Sequence, residues 1–424
     1  MKKIQSVRRY GNGVEREMEE WKKAWGYVPV KWGTEIGTVE NITQKLWLRN
    51  NLNGTALRVK FSNLYDEQPM VLERVTVGKW DRGTEEITKI REVTCQGEGR
   101  IEVEPGSFLR SDAIPFSVEA ADDLVISIYW REAHTFRGLC QTWNAKSWQS
   151  SFQEGDHTDT GELAGMATID FLPFFRFDEH VSNGAMGIAG VEILTEEQVM
   201  TMACFGDSIT HMSYYFDPLL EELYRRYPGQ VTLLNGGLGG NRVLYDACHV
   251  EEIPGHGQCF GEAAVSRFER DVYEDTEPEV VFVMEGINDC SHGFAFHVPG
   301  EVPTGAQLFE GIRKIVQTGR EKGSRVYVST IMPFGCYEEP FRDAAEAIRQ
   351  ECNQLLRNNR DMADGFLDLD AVMRKEENSN FMKDGMHLGD GVHPGQAGGR
   401  EIAAVIFEAI LPMLSAHAAA LPDS

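Results

Sequence analysis

The chain has 424 residues, 42% hydrophobic and 10% aromatic, with 41 Lys and Arg against 66 Asp and Glu and a formal net charge of −25. Nucleic-acid binding draws most of its affinity from clustered Lys and Arg on phosphates, and an anionic membrane surface asks for the same basic patch, so the charge balance disfavours both partners. The apolar fraction is too high for a disordered polyanion, and the length predicts two domains or one domain carrying a large addition.

The N-terminus is basic but lacks the apolar core of a secretory signal, and no apolar run of bilayer-crossing length stands out. The cysteines Cys95, Cys140, Cys204, Cys248, Cys259, Cys290, Cys336 and Cys352 are scattered without a CxxC pair. Free thiols in the cytoplasm are the expectation. All eight tryptophans precede residue 150, which divides the chain into an accessory part, 1–195, and a second part, 196–424.

Glu15 to Trp25 has a weak helical pattern. From about Leu46 to Ile193 the apolar pattern is short and near-alternating, as in Leu57–Phe61, Val71–Val77, Ile101–Val103 and Leu124–Trp130, with turn residues such as Asn51-Leu-Asn-Gly54 between. This is the pattern of antiparallel strands in a β-sandwich or jelly-roll-like module. Trp143 and Trp148, in a segment with His134 and His157, invite a sugar-stacking platform; burial in the core or between domains is the expectation that the size of the indole favours.

From Val199 the pattern becomes strand, loop, helix, repeated. Strands are predicted at Val199–Cys204, Val231–Leu234, Val280–Met284, Arg325–Ile331 and Gly365–Leu369, and helices around Phe216–Tyr227 and Ile402–Met413. Near-continuous apolar strands alternating with amphipathic helices predict an α/β fold with a central parallel sheet in three layers, whose ligand site lies at the carboxyl ends of the strands. At those ends stand Gly206-Asp-Ser208, Asn235-Gly-Gly-Leu-Gly-Gly240, Gly286-Ile-Asn-Asp289 and, before the last helix, Asp390-Gly-Val-His393.

Their chemistry is complementary. Ser208 needs a base to become a nucleophile, His393 can take its proton, and Asp390 can orient His393. The backbone N–H groups of Ser208 and Gly240 and the Asn288 amide are candidate oxyanion donors. No metal and no cofactor is called for. Asp207 reads as a turn-holding residue. Asp384-Gly-Met-His387 repeats the Asp-x-x-His spacing, but Pro394 and the terminal apolar helix follow directly on His393, which favours the second pair. Cys248, His249, His256 and Cys259 are borderline zinc ligands at a spacing that matches no common site. Glu285 and Asp289 offer the residue types of a glycosidase carboxylate pair, yet neighbours on one short segment rarely face each other across a substrate.

The four blocks resemble those of the SGNH (GDSL-type) hydrolase family: the nucleophile block at Ser208, the oxyanion glycine at Gly240, the asparagine block at Asn288 and the terminal Asp390-x-x-His393. The stretch Gly54–Asn63 with Arg110-Ser-Asp112 is also similar to the N-terminal sandwich of two-domain bacterial relatives, many of which are secreted. The resemblance implies a flavodoxin-like catalytic domain and a serine esterase working through an acyl-enzyme. The expected substrate is a small-molecule ester, foremost a short acyl group such as acetyl on a sugar or similar alcohol. Hydrolysis of a lipid, lysophospholipid or aryl ester is the alternative within the family, and a non-catalytic carbohydrate-binding protein the alternative outside it. The net charge favours a neutral or cationic ester, with Arg242 beside Gly240 as a local counterweight.

Overall fold

The computed structural model describes residues 19–144, 146–161, 183–335 and 341–421. The N-terminal part is built mainly from two five-stranded antiparallel sheets. In one, Gly54–Asn63 and Ile188–Thr195 are central, flanked by Glu20–Gly26 on one side and by Ser107–Arg110 and Ile114–Val118 on the other. In the other the order is Trp148–Glu154, Ile42–Arg49, Asp123–Trp130, Arg74–Asp81, Glu86–Glu92. Asp123 to Trp130 pairs in unbroken register with Arg49 to Ile42. Leu46, Leu48, Val75, Val77, Ile126 and Ile128 are fully buried in the apolar core.

Two local expectations change. Glu20–Gly26 is a strand pairing with Ile188–Thr195, where the sequence pattern over Glu15 to Trp25 is weakly helical; residues 15–18 lie outside the described residues. Edge pairing and burial of Trp25 outweigh a helix period too weak to bury a face. The run Val71–Val77 breaks at Glu73, so that Met70–Leu72 joins Ile101–Val103 while Arg74–Asp81 joins the second large sheet.

The second part is a five-stranded, all-parallel sheet of β1 (Met200–Gly206), β2 (Val231–Gly237), β3 (Val280–Met284), β4 (Arg325–Ser329) and β5 (Gly365–Leu367). Its order is β2-β1-β3-β4-β5, the flavodoxin-like order, in which the chain reverses direction across the sheet between β1 and β3. The helices are α1 (Ser208–His211), α2 (Phe216–Arg226), α3 (Ala264–Tyr273), α4 (Ile287–Ala295), α5 (Gly305–Glu321), α6 (Phe341–Asn358), α7 (Leu369–Met373) and α8 (Gln396–Ala420). Every residue of β1, β2 and β3 is buried, as expected for strands covered on both faces.

The N-terminal module covers the free edge of β2, an edge that would otherwise invite pairing with another chain. Tyr27 bridges Asn235, and the Lys23 carbonyl accepts a hydrogen bond from Thr232 Oγ1 at 2.7 Å. Trp25, Tyr27, Trp148 and Phe216 pack ring against ring, with centroids 5.2–6.0 Å apart in the contacts of Tyr27 and Trp148 with their neighbours. Beside them Asp275 receives Lys60, Lys23 and Arg110.

The tryptophan platform is therefore not a surface feature. Trp148 is 0% and Trp143 5% exposed, the burial that large apolar rings favour. The expectation of no bilayer-length apolar run also changes, since α8 is long and apolar enough by length and composition. In this fold Ile402, Ile406, Ile410 and Leu414 are buried on one side of α8, with α2 among its neighbours, while Glu401, Ala404 and Glu408 are exposed.

Candidate active site

The four blocks meet at one edge of the sheet. β1 ends at Gly206, and Asp207 caps α1 by accepting the N–H of Ile209 at 3.0 Å. This puts Ser208 first in the helix, where a backbone N–H has no partner within the helix. Burial pushes the Asp207 carboxyl up to about 7, with the Ile209 N–H opposing. Asp207 thus holds the turn, as its sequence context predicts.

Asp390 organises the opposite wall. Its Oδ1 accepts the N–H groups of Val392 at 2.9 Å and His393 at 3.0 Å, and its Oδ2 lies 2.6 Å from His393 Nδ1. Burial alone would raise this carboxyl; the His393 hydrogen bond and charge, with the two backbone N–H groups, outweigh it and hold Asp390 at about 2. With Nδ1–H donated to a carboxylate, the other ring nitrogen is an acceptor. His393 Nε2 lies 2.9 Å from Ser208 Oγ.

The competing pair is not at the site. Asp384 is exposed and paired with Lys375. His387 Nδ1 accepts the N–H groups of Gly389 at 3.0 Å and Gly391 at 3.2 Å, so it shapes the turn that carries Asp390. His387 and Pro394 close that loop as a bridge, and α8 begins two residues later. Gly399 lets α8 approach closely, since a Cβ there would sit 2.0 Å from the Tyr214 carbonyl.

Gly240 has φ +73°, a left-handed conformation that glycine adopts without strain, and a Cβ there would meet the Phe260 ring at 2.0 Å. The sequence context anticipates a special glycine; the ring that makes it obligatory comes from a distant loop. Asn288, second in α4, donates through Nδ2 to the Asn241 carbonyl at 2.8 Å, which leaves its other amide hydrogen for a second acceptor. Ser208, Gly240, Asn288, Asp390 and His393 are all partly exposed, in contrast to the strands behind them.

Several supporting residues are not evident from the blocks. Arg267 of α3, fully buried, donates to Gly206 O at 2.9 Å, Gly236 O at 3.0 Å, Asn241 Oδ1 at 2.8 Å, Asp271 at 3.1 Å and Glu285 at 3.3 Å. One guanidinium thereby fixes the ends of β1, β2 and β3 together, a geometry its planar fork suits. The available signal was its place on the inner face of a helix with Ala264, Phe268 and Val272, where a charge is out of character. Asn241 completes the turn by donating to Phe260 O and Glu262 O at 2.7 and 2.8 Å.

Glu285 and Asp289 are not a facing pair. Glu285 is held by Arg267; burial and the nearby Asp207 push its carboxyl well above the ordinary range, Arg267 opposing. Asp289 accepts the N–H groups of Val243 at 2.7 Å and Leu244 at 3.0 Å, and burial raises it to about 6. Arg242 is buried against Glu301 and the Asp246 carbonyl, so its charge is already compensated. Of the four borderline zinc ligands, Cys248 and Cys259 are buried while His249 and His256 are exposed. The two imidazoles stack with centroids 4.7 Å apart at 19°, and with Glu251 they bring three exposed ligand atoms within 4.8 Å of one another, a group that includes neither cysteine. His134 pairs with Asp66 within the sandwich, and His157 contacts the Glu154 carbonyl.

Residues 204–400 match the model of the GDSL-like lipase/acylhydrolase family. That stretch is therefore a GDSL-like lipase/acylhydrolase domain, which spans the four blocks of the site. Among solved structures the chain is similar to the acetyl xylan esterase AlAXEase, at 20% identity over 50% of this chain and 100% of that one, with a TM-score of 0.38. It is also similar to an acetylxylan esterase from Geobacillus stearothermophilus, at 18% identity over 50% and 94%, TM-score 0.38. A lipase/acylhydrolase from Enterococcus faecalis aligns at 16% identity over 53% and 99%, TM-score 0.36. No curated protein matches the chain.

Proposed function

We propose that the protein is a serine esterase that removes a short acyl group, foremost acetyl, from a sugar or similar small alcohol. The observation that carries this reading is the continuous chain from Ser208 Oγ to His393 Nε2 at 2.9 Å and from His393 Nδ1 to Asp390 at 2.6 Å, within an acylhydrolase domain. Ser208 Oγ attacks the ester carbonyl as His393 takes its proton. The negative charge that develops on the carbonyl oxygen is met by the N–H groups of Ser208 and Gly240 and the free amide hydrogen of Asn288. His393 returns the proton to the departing alkoxide, leaving an acyl-serine. It then deprotonates a water that attacks the acyl carbon, and the acid leaves as Ser208 regains its proton. Asp390 keeps the imidazole in the required tautomer and stabilises its charged form.

Two apolar groups flank the segments that carry the site. Phe260 fills the space beside Gly240, and Trp143, Met212 and Tyr214 are packed tightly with Leu388 at their flank. The free thiols of the seven described cysteines support a reducing compartment such as the cytoplasm.

A fluorophosphonate probe is expected to label the wild-type chain once, and Ser208→Ala to lose both the label and turnover, with kcat down by about 10^4 or more. Labelling that persists in Ser208→Ala would sink the reading. A panel of acetylated sugars and p-nitrophenyl esters of rising chain length tests the substrate class. Rates that climb toward long acyl chains would replace it with a lipid ester, and sugar binding without any turnover with a binding protein.

A further inference from the structure

Residues 142–144 and 146–147 of the N-terminal module reach several segments around the candidate site. Thr142 Oγ1 donates to the His211 carbonyl at 2.8 Å, at the end of the helix that Ser208 begins, and lies 2.9 Å from Ser213 Oγ. The Trp143 ring meets the His211 imidazole edge to face, with centroids 4.9 Å apart and planes at 84°. Asn144 accepts from Gln396 Nε2, at the start of α8 and three residues past His393, at 2.7 Å. Lys146 and Ser147 give their backbone N–H groups to Asp217 of α2.

His211 is the pivot of these contacts. Its Nδ1 accepts the N–H of Gly239 at 3.0 Å, one residue before the oxyanion glycine. A Cβ on Gly239 would lie 3.4 Å from that nitrogen and 3.7 Å from the Trp143 ring. Burial lowers His211 to about 4, with the Gln141 backbone opposing, so the ring is neutral and keeps its acceptor near pH 7. His211 is 2% exposed, which leaves it to act through the backbone it holds.

We propose that the N-terminal module is a working part of the active site: Trp143 holds the His211 ring, and His211 holds the Gly239–Gly240 turn in the position that stabilises the oxyanion. Both are positioning residues for the reaction of Ser208, and the inference rests on the esterase reading. An interaction that acts only on the transition state lowers kcat and leaves KM in place. The defect in a mispositioned turn is a fraction of the loss that follows removal of a whole donor.

The test is a double-mutant cycle of Trp143→Ala and His211→Ala in the full-length chain, with kcat expressed per serine labelled to completion by fluorophosphonate. Each single variant is expected to lose about 10- to 100-fold in kcat with KM for p-nitrophenyl acetate within about twofold. The double variant is expected to lose no more than the worse single one, because both changes break one relay. Trp143→Phe restores most of the rate by keeping a ring on the imidazole, and His211→Gln by keeping an acceptor for Gly239. Trp80→Ala, in the same module on the strand Arg74–Asp81, is expected to change neither parameter. Additive losses, a rise in KM alone, or an equal loss in Trp80→Ala would each overturn the relay. If Trp143→Ala does not fold, His211→Ala against His211→Gln decides it, equal losses counting against. Absence of Ser208-dependent turnover in the wild type is a different outcome, which removes the esterase reading itself.

Discussion

Asp207 and His387 show how little a residue's type says about its task. Asp207 adjoins the proposed nucleophile, yet its hydrogen bond is a helix cap and burial raises its carboxyl to about 7. Asp207→Asn keeps the accepting oxygen and removes the cost of ionising a buried group. A group raised in the folded state loses stabilising effect as pH rises from its unfolded value near 4 toward 7. The Asn variant is therefore expected to gain on the wild type across that window in urea titrations, by a few kcal/mol at most. Asp207→Ala, without the cap, is expected to cost about 1–2 kcal/mol relative to Asp207→Asn. His387 has the right spacing from Asp384, but its acceptor nitrogen is engaged by two backbone N–H groups. On the esterase reading His393→Ala loses about 10^4 in kcat, while His387→Ala, judged by kinetics on the same ester, loses far less.

The elements that carry the site depend on one another more than on their own propensities. The turn after β2 bends where it does because Gly240 can take a left-handed conformation under the Phe260 ring. Gly240→Ala adds both backbone strain, about 1–2 kcal/mol, and a clash; the expected outcome is a lowered Tm with kcat falling more than the active fraction. The ends of β1, β2 and β3 share the guanidinium of Arg267. Removing it leaves Glu285 buried without its cationic partner, while Asp271 keeps Arg270 at 2.8 Å; breaking a buried pair in this way costs up to about 3–5 kcal/mol. Arg267→Met is expected to shift the denaturant midpoint accordingly, and Arg267→Lys to recover only part, since an ammonium cannot span the same acceptors.

At the scale of the whole molecule, the two parts meet through aromatic rings, backbone bonds along β2 and a group of charges on Asp275. Lys23, Lys60 and Arg110 come from the N-terminal module and the carboxylate from the loop after α3. Although burial alone would raise it, these cations hold Asp275 well below the ordinary carboxylate range. The stability from a depressed carboxyl is present above its unfolded pKa near 4 and is lost as pH falls through the folded value. Asp275→Asn is expected to destabilise the full chain at pH 7 and to have less effect in strong acid, as followed by thermal unfolding across pH. An unchanged Tm at pH 7 would count against an energetic role for this junction.

Much of the fold was legible because it follows from periodicity. Continuous apolar strands that alternate with amphipathic helices define a covered parallel sheet, and near-alternating ones an antiparallel module. The site blocks were legible because a serine, an asparagine, a special glycine and an Asp-x-x-His unit fell at successive strand ends. Less of the supporting structure could be read. Arg267, Asn241 and His211 act largely through contacts with residues 18 to 69 positions away, and no local pattern encodes such a partner. Trp143 was visible as an aromatic residue of uncertain use. Its place against His211 and Gly239 arises from the way the edge of β2 and the N-terminal module bury each other. Local hydrophobic pattern specifies elements; the position of a side chain 68 residues along the chain, as Trp143 is from His211, is set by the packing of those elements into a shared interface.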